Sequence, residues 1–262
     1  MTMIAEVEQT EEEVRNMAIP PRTSSYTPVR NGELIDMVRK LAKIYGLELA
    51  NGQFATTRKG QRMFGSFDVK EQNFLGDMAR FKIGLRNSSD KSMSAGICFG
   101  SEIMVCSNLV FIGYGGDHND IVGKVSHKHT THIHKTLYDR LYFSMADFGI
   151  YKEFQEKLFN RLRKTSLTDE EASHTIVNAA RQNIIPKKNI LDIANVWRFQ
   201  ERGPETEEEK TRYYPDFKGR NAFSLLNAFT EHNKAYSKKN LVEGAERAMN
   251  LVGYMYDTFA LN

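Results

Sequence analysis

Cysteine is nearly absent: Cys98 and Cys106 are the only two in 262 residues. Two thiols in apolar, strand-like surroundings supply no disulfide framework and read as small hydrophobes in a reducing, cytoplasmic setting. Long hydrophobic runs are missing as well. The longest, Ile103–Cys106 and Leu109–Ile112, are far too short to cross a bilayer. The opening Met1-Thr-Met-Ile-Ala-Glu has neither basic flank nor apolar core, so no secretory signal is expected. Glycine is sparse in the patterns that cradle nucleotides. Gly113-Tyr-Gly-Gly116 matches neither the P-loop nor the dinucleotide spacing. Paired carboxylates at catalytic spacing are also hard to find, so no catalytic residue, cofactor or metal is assigned.

Excess charge is small, a net +3, but it is unevenly spread. Glu6, Glu8, Glu11, Glu12 and Glu13 all precede the first basic residue, Arg15. Without those five, 28 acids stand against 36 Lys and Arg, and the body carries +8. A body of that sign attracts polyanions. Residues 1–16 have little to bury and read as a disordered acidic arm, with a single domain expected over 17–262.

The remaining pattern is α+β: an antiparallel sheet of hairpins in the N-terminal half (17–116), packed against helices mostly from the C-terminal half (130–262). Leu34, Ile35, Val38, Leu41, Ala42 and Tyr45 recur at helical spacing after Asn31, expected as the N-cap, and Gly46 is the stop. Leu47–Thr56 and Arg62–Val69 flank Gly60 as a hairpin. Ala79–Arg86 is a third strand. Met93–Phe99 and Glu102–Cys106 are expected to turn at Gly100-Ser101. Ile133 to Leu162 is helical with a break at Gly149. Thr168, with Glu171 three residues on, caps a helix to Asn183. Lys188–Arg198, Asn221–His232 and Leu241–Phe259 are further helices.

Four segments carry a resemblance. They are Ser25-Tyr26-Thr27-Pro28-Val29 before Asn31 and its helix, Asn87-Ser-Ser-Asp90-Lys91-Ser92-Met-Ser94-Ala95-Gly96 running on to Val105-Cys106-Ser107-Asn108-Leu109, Lys128-His129-Thr130, and Leu226-Asn227-Ala228-Phe229-Thr230-Glu231. In this order they resemble the phage/plasmid-like family of domains of unknown function (domain of unknown function 932). The resemblance implies a mobile-element origin and the cytoplasm of an infected or element-carrying bacterium. It implies no activity. The chain departs from the pattern around Asp117–Val125, and it has serine at 107, where an acidic residue is commoner.

Candidate sites follow from residue chemistry. His118, His127, His129, His132 and His134 crowd one span, but no cysteine or acid joins them, and Lys124, Lys128 and Lys135 repel a cation. A cationic approach to a helix start, suited to phosphate, is the alternative. Cys106 with His129 and Asn108 would make a thiol nucleophile only if they met. Asp90, Asp117 and Asp120 suit either Mg²⁺ or turns. The loop Asn87, Asp90, Lys91, Ser92 suits phosphate contact or a self-fixed turn. Lys128, His129, Thr130, Arg161 and Arg163 are further phosphate candidates, and Tyr213 and Tyr214, set among cations, are candidates for stacking bases.

The strand-then-helix order is also similar to that of single-strand annealing proteins of the Rad-fifty-two type, by layout alone. The expectation is a protein that binds nucleic acid, single strands preferred, without sequence specificity, as a homo-oligomer. A protein that disables a host defence or host enzyme and a metal-dependent nuclease are the alternatives.

Overall fold

The computed structural model describes residues 7–57, 59–74, 79–103, 108–111, 114–116, 120–122, 124–202, 219–237 and 241–259. Its strands are β1 (Val7–Gln9), β2 (Leu49–Thr57), β3 (Arg62–Phe74), β4 (Ala79–Ser88), β5 (Ala95–Ile103), β6 (Asn108–Phe111), β7 (Tyr114–Gly116), β8 (Asp120–Val122) and β9 (Lys124–His127). The helices are α1 (Glu11–Arg15), α2 (Asn31–Ile44), α3 (Ile133–Ala146), α4 (Phe148–Lys164), α5 (Asp169–Arg181), α6 (Ile190–Arg202), α7 (Ala222–Ser237) and α8 (Leu241–Phe259). The main sheet is antiparallel in the order β1-β2-β3-β4-β5-β6, with β9 also pairing β5, and β7-β8 form a separate ribbon. The fold class is thus the expected α+β.

Where one domain was expected over 17–262, contacts divide the chain into two compact units. The first holds Met1–Asn73, Arg80–Ser101 and Ile112–Lys152; the second holds Phe74–Ala79, Glu102–Phe111 and Glu153–Asn262.

In the first unit, the β2–β3 hairpin turns at Lys59 and Gly60, both with positive φ, as the two central residues of a tight hairpin turn require. Strand alternation sends Phe81 and Ile83 to one face of β4 and Arg80 and Lys82 to the other. Phe81 and Phe99 meet the rings of Phe148 and Tyr151 edge-on or tilted, which anchors an aromatic core. On the opposite face Asp68 Oδ1 pairs with Lys82 Nζ at 2.8 Å, while Asp68 Oδ2 takes Arg80 Nη1 at 2.7 Å and Asn51 Nδ2 at 2.8 Å.

Of the arm expected over 1–16, residues 1–6 lie outside the described residues, and those from Val7 onward are structured. Residues 7–9 pair antiparallel with β2 (Val7↔Thr56 to Gln9↔Phe54), and Thr10 and Glu13 form a capping box that starts α1. Val14 is fully buried. Glu11 bonds both Arg15 and Arg39, and Arg15 reaches Asp36. Glu13 is spent on capping α1, and Glu11 on Arg15 and on Arg39 of α2, which holds α1 in place despite its polarity.

Three local expectations also change. Gly100 and Ser101 lie buried inside β5 rather than at a turn, because the apolar alternation of Ile97 and Phe99 carries the strand through them. The break between α3 and α4 falls at Asp147, which caps α3, and not at Gly149. Asn31 is the first residue of α2 rather than its cap; the Glu33 carboxylate receives the Arg30 N–H at 2.9 Å instead.

In the second unit, α5 begins with the expected Thr168–Glu171 capping box. Residues 222–230 of α7 are buried without interruption, and α7 packs on α6, α8 and β6. The chain on either side is stitched by Leu167 N–H to Arg220 O and Ala222 N–H to Thr165 O. Tyr254 Oη donates to Thr175 O at 2.8 Å, tying α8 to α5. No helix among the described residues is long and apolar enough to cross a membrane.

Candidate nucleic-acid interface

The first unit brings together residues 25–29, 87–96 and 128–130 of the resembling segments. β9 is held on β5 by the register Ala95↔His127 to Cys98↔Lys124. A Cβ at Gly96 would stand 2.0 Å from Val125 O, so only glycine lets the two backbones approach. The chain leaves the sheet at Lys128, passes His129 and Thr130, and starts α3 at Ile133. Thr130 O and His132 O receive the first helical N–H bonds, from Ile133 and Thr136. No acid lies in the first turn of α3.

The loop after β4 is fixed by its own side chains. Ser88 Oγ donates to Met93 O and receives the Met93 N–H, both at 3.0 Å. Asp90 Oδ1 receives the Ser92 N–H at 2.9 Å and also the Ser92 hydroxyl. Arg62 Nε donates to Ser92 Oγ at 2.7 Å and lies 3.6 Å from Asp90 Oδ2. An Asx-type turn of this kind leaves Lys91 at φ 63, in the left-handed region, with its side chain exposed.

Tyr26 is where the segments meet. Its ring centroid lies 5.3 Å from that of His129, and Lys91 Nζ stands 4.6 Å from it on the ring face. Asn87 Nδ2 donates to Val29 O at 2.8 Å and to Asn31 Oδ1 at 2.9 Å, while Asn31 Nδ2 donates to Val14 O. Tyr26, Thr27, Asn87 and His129 are all more than nine-tenths buried.

Electrostatics follow from that burial. Desolvation pushes the Tyr26 hydroxyl above its ordinary range, and nearby Asp90 adds to the shift. Desolvation pushes His129 below its ordinary value; the Thr27 backbone opposes this, and His127 and His134 reinforce it. Thr27 approaches the imidazole without reaching hydrogen-bond geometry, since neither ring nitrogen has a partner. His129 is therefore neutral at neutral pH.

The sequence candidates thus divide. Lys91, His129 and, through the loop, Asp90 and Ser92 gather around Tyr26, and exposed Lys128 and Thr130 flank His129 in the chain. Asn87 faces inward and holds the 26–31 segment. Arg161 and Arg163 belong to the second unit, and Arg161 Nε donates to Phe259 O at the end of α8. Tyr213, Tyr214, His118, Cys106 and Asp117 lie outside the described residues. Among the described residues no three His, Cys, Asp or Glu side chains gather as a metal site. Sequence reasoning missed Tyr26, Thr27 and Arg62 as members of the site. The first two lie in one of the resembling segments; Arg62 had no signal, because its link to Ser92 depends on the β3–β4 pairing.

A family model described as a domain of unknown function (DUF932) matches residues 20–251. No curated protein matches, and no solved structure matches.

Proposed function

This chain belongs to the DUF932 family, and from the cluster that its resembling segments build beneath exposed Lys91 we propose that it is a phage or mobile-element protein that binds nucleic acid, preferring single strands and reading no sequence. One observation carries the reading: Lys91, Tyr26 and His129, drawn from three distant segments, form a single cationic and aromatic cluster. Phosphate contacts from lysine position a strand without reading bases. Exposed Lys128 and Lys135, with the acid-free start of α3, extend the positive character beside it. The +8 body raises encounter rates with any polyanion.

The test is fluorescence anisotropy with labelled single- and double-stranded oligonucleotides at two salt concentrations, with and without Mg²⁺. Affinity for intact single strands that falls with salt supports the reading. Lys91→Ala combined with Lys128→Ala then lowers affinity and flattens the salt slope by about two phosphate contacts. Mg²⁺-dependent cleavage of the oligonucleotide points instead to a nuclease. Absence of binding at low salt sinks the reading and turns the search to a host protein partner.

A further inference from the structure

Among the buried polar atoms without a hydrogen-bond partner, five lie on four neighbouring residues of the first unit: Tyr26 Oη, Thr27 Oγ1, Asn87 Oδ1, and both ring nitrogens of His129. Folded chains rarely leave such atoms unpaired, because each forfeits its bonds to water and gains nothing in return. These five sit on residues that the resembling segments bring together. Resting on the nucleic-acid reading above, we propose that Tyr26, Thr27 and His129 form a pocket for a phosphomonoester, the terminal phosphate of a strand, with Lys91 as its cover.

The chemistry of the orphans selects the ligand. Two hydroxyls and one imidazole N–H are donors, and phosphate oxygens are acceptors. The neutral imidazole donates without the cost of burying a second cation beside Lys91. Asn87 Oδ1 and the unprotonated ring nitrogen of His129 are acceptors, and they suit the P–OH of a singly ionised monoester, a proton that a backbone diester lacks. The nearby acids are already engaged. Asp90 is held by Ser92 and Arg62, and Glu33 receives the Arg30 N–H with His134 Nδ1 3.9 Å away.

The enclosure selects the end of a strand. All five atoms are shielded from water, so a continuing backbone, which must pass both in and out, is a poorer fit than a terminus arriving end-on. Access requires the Lys91 loop to lift. Lys91 is the residue on that loop held at positive φ, a conformation costly for a side chain with a Cβ. Its contact with the Tyr26 ring is exchanged for a charge-assisted bond to the arriving phosphate.

The experiment compares 5′-phosphorylated, 3′-phosphorylated and unphosphorylated single strands of one sequence by anisotropy. The same protein is melted in inorganic phosphate and in chloride at equal ionic strength. One phosphorylated end is expected to bind about tenfold tighter than the hydroxyl ends. Inorganic phosphate is expected to raise Tm, and Tyr26→Phe to abolish both effects. Equal binding of all three strands, with no response of Tm to phosphate, overturns the pocket and leaves the nucleic-acid reading standing. Loss of all strand binding, with a Tyr26-dependent rise of Tm in phosphate, overturns that reading and keeps the pocket for a free phosphate or small phosphomonoester. Should Tyr26→Phe fail to fold, Thr27→Val and His129→Gln read the same two effects.

Discussion

Lys82 Nζ stands 2.8 Å from Asp68 Oδ1 on the face of β4 opposite Phe81, with both side chains almost closed to water. A pair of this kind is held in place by mutual need. Removing the cation alone, by Lys82→Met, leaves a buried carboxylate short of a partner and should cost about 3–5 kcal/mol in denaturant unfolding. The paired change Lys82→Met with Asp68→Leu should recover much of that loss. A double variant as unstable as the single one would show that the charges contribute more than they cost.

Asp68 also sets a pH dependence. Burial works to raise its pKa, but hydrogen bonds from Lys82, Asn51 and Arg80 outweigh burial and hold the carboxyl below its ordinary range. A depressed carboxyl stabilises the fold above its unfolded value, about 3.9, and loses that contribution as pH falls through the folded value. The Tm gap between the wild type and Asp68→Asn should be full at neutral pH and narrow below about pH 4. A gap that stays constant into acid would refute the assignment.

His129 works in a higher window. Its folded pKa is depressed by burial, so the folded state holds fewer protons than the unfolded state. Stability is therefore complete above the unfolded value, about 6.5, and declines as pH falls through the folded value. His129→Gln should lack this slope between neutral and mildly acidic pH, as read by thermal melts in matched buffers. Parallel curves for the two proteins would place the titration elsewhere.

Two glycines should answer oppositely to alanine. At Gly96 the new Cβ meets a backbone carbonyl that cannot withdraw, so Gly96→Ala should destabilise by about 1–3 kcal/mol or more. It should also speed hydrogen exchange across β9. At Gly149 nothing lies within 4 Å of a new Cβ, and Gly149→Ala in α4 should be neutral or stabilising.

At the start of α5, Thr168→Ala removes the oxygen that receives the Glu171 N–H and should cost about 1 kcal/mol, with Thr168→Ser restoring most of it. Chemical denaturation of the three proteins side by side reads the difference.

Elements with strong local signals were legible in the sequence. The 3.6-residue spacing of Leu34 to Tyr45 placed α2, the Thr168–Glu171 box placed α5, and Gly60 placed the β2–β3 turn. Long-range pairing was not legible. Gly100-Ser101 looks like a turn until β5 is seen to be buried on both sides. The acids near the N-terminus look like a solvated arm until Arg15 and Arg39 are found against Glu11. The candidate site was half visible. Lys91 and His129 were named, but Asn87 was expected at phosphate or in a self-fixed turn, because its bond to Val29 O spans 58 residues and has no local signal. Arg161 looked free for phosphate because nothing local announces that the end of α8 reaches it.

The pairing of β1 with β2 reaches beyond the first few residues. A chain trimmed to begin at Met17 would lose β1 and α1 together and strip the cover from the outer rim of β2. The Val7–Gln9 ladder would be replaced by open amides and carbonyls along Phe54–Thr56, a template onto which another molecule's strand can add. The acidic start thus covers an edge that would otherwise invite edge-to-edge pairing, and its removal for convenience in expression should increase self-association.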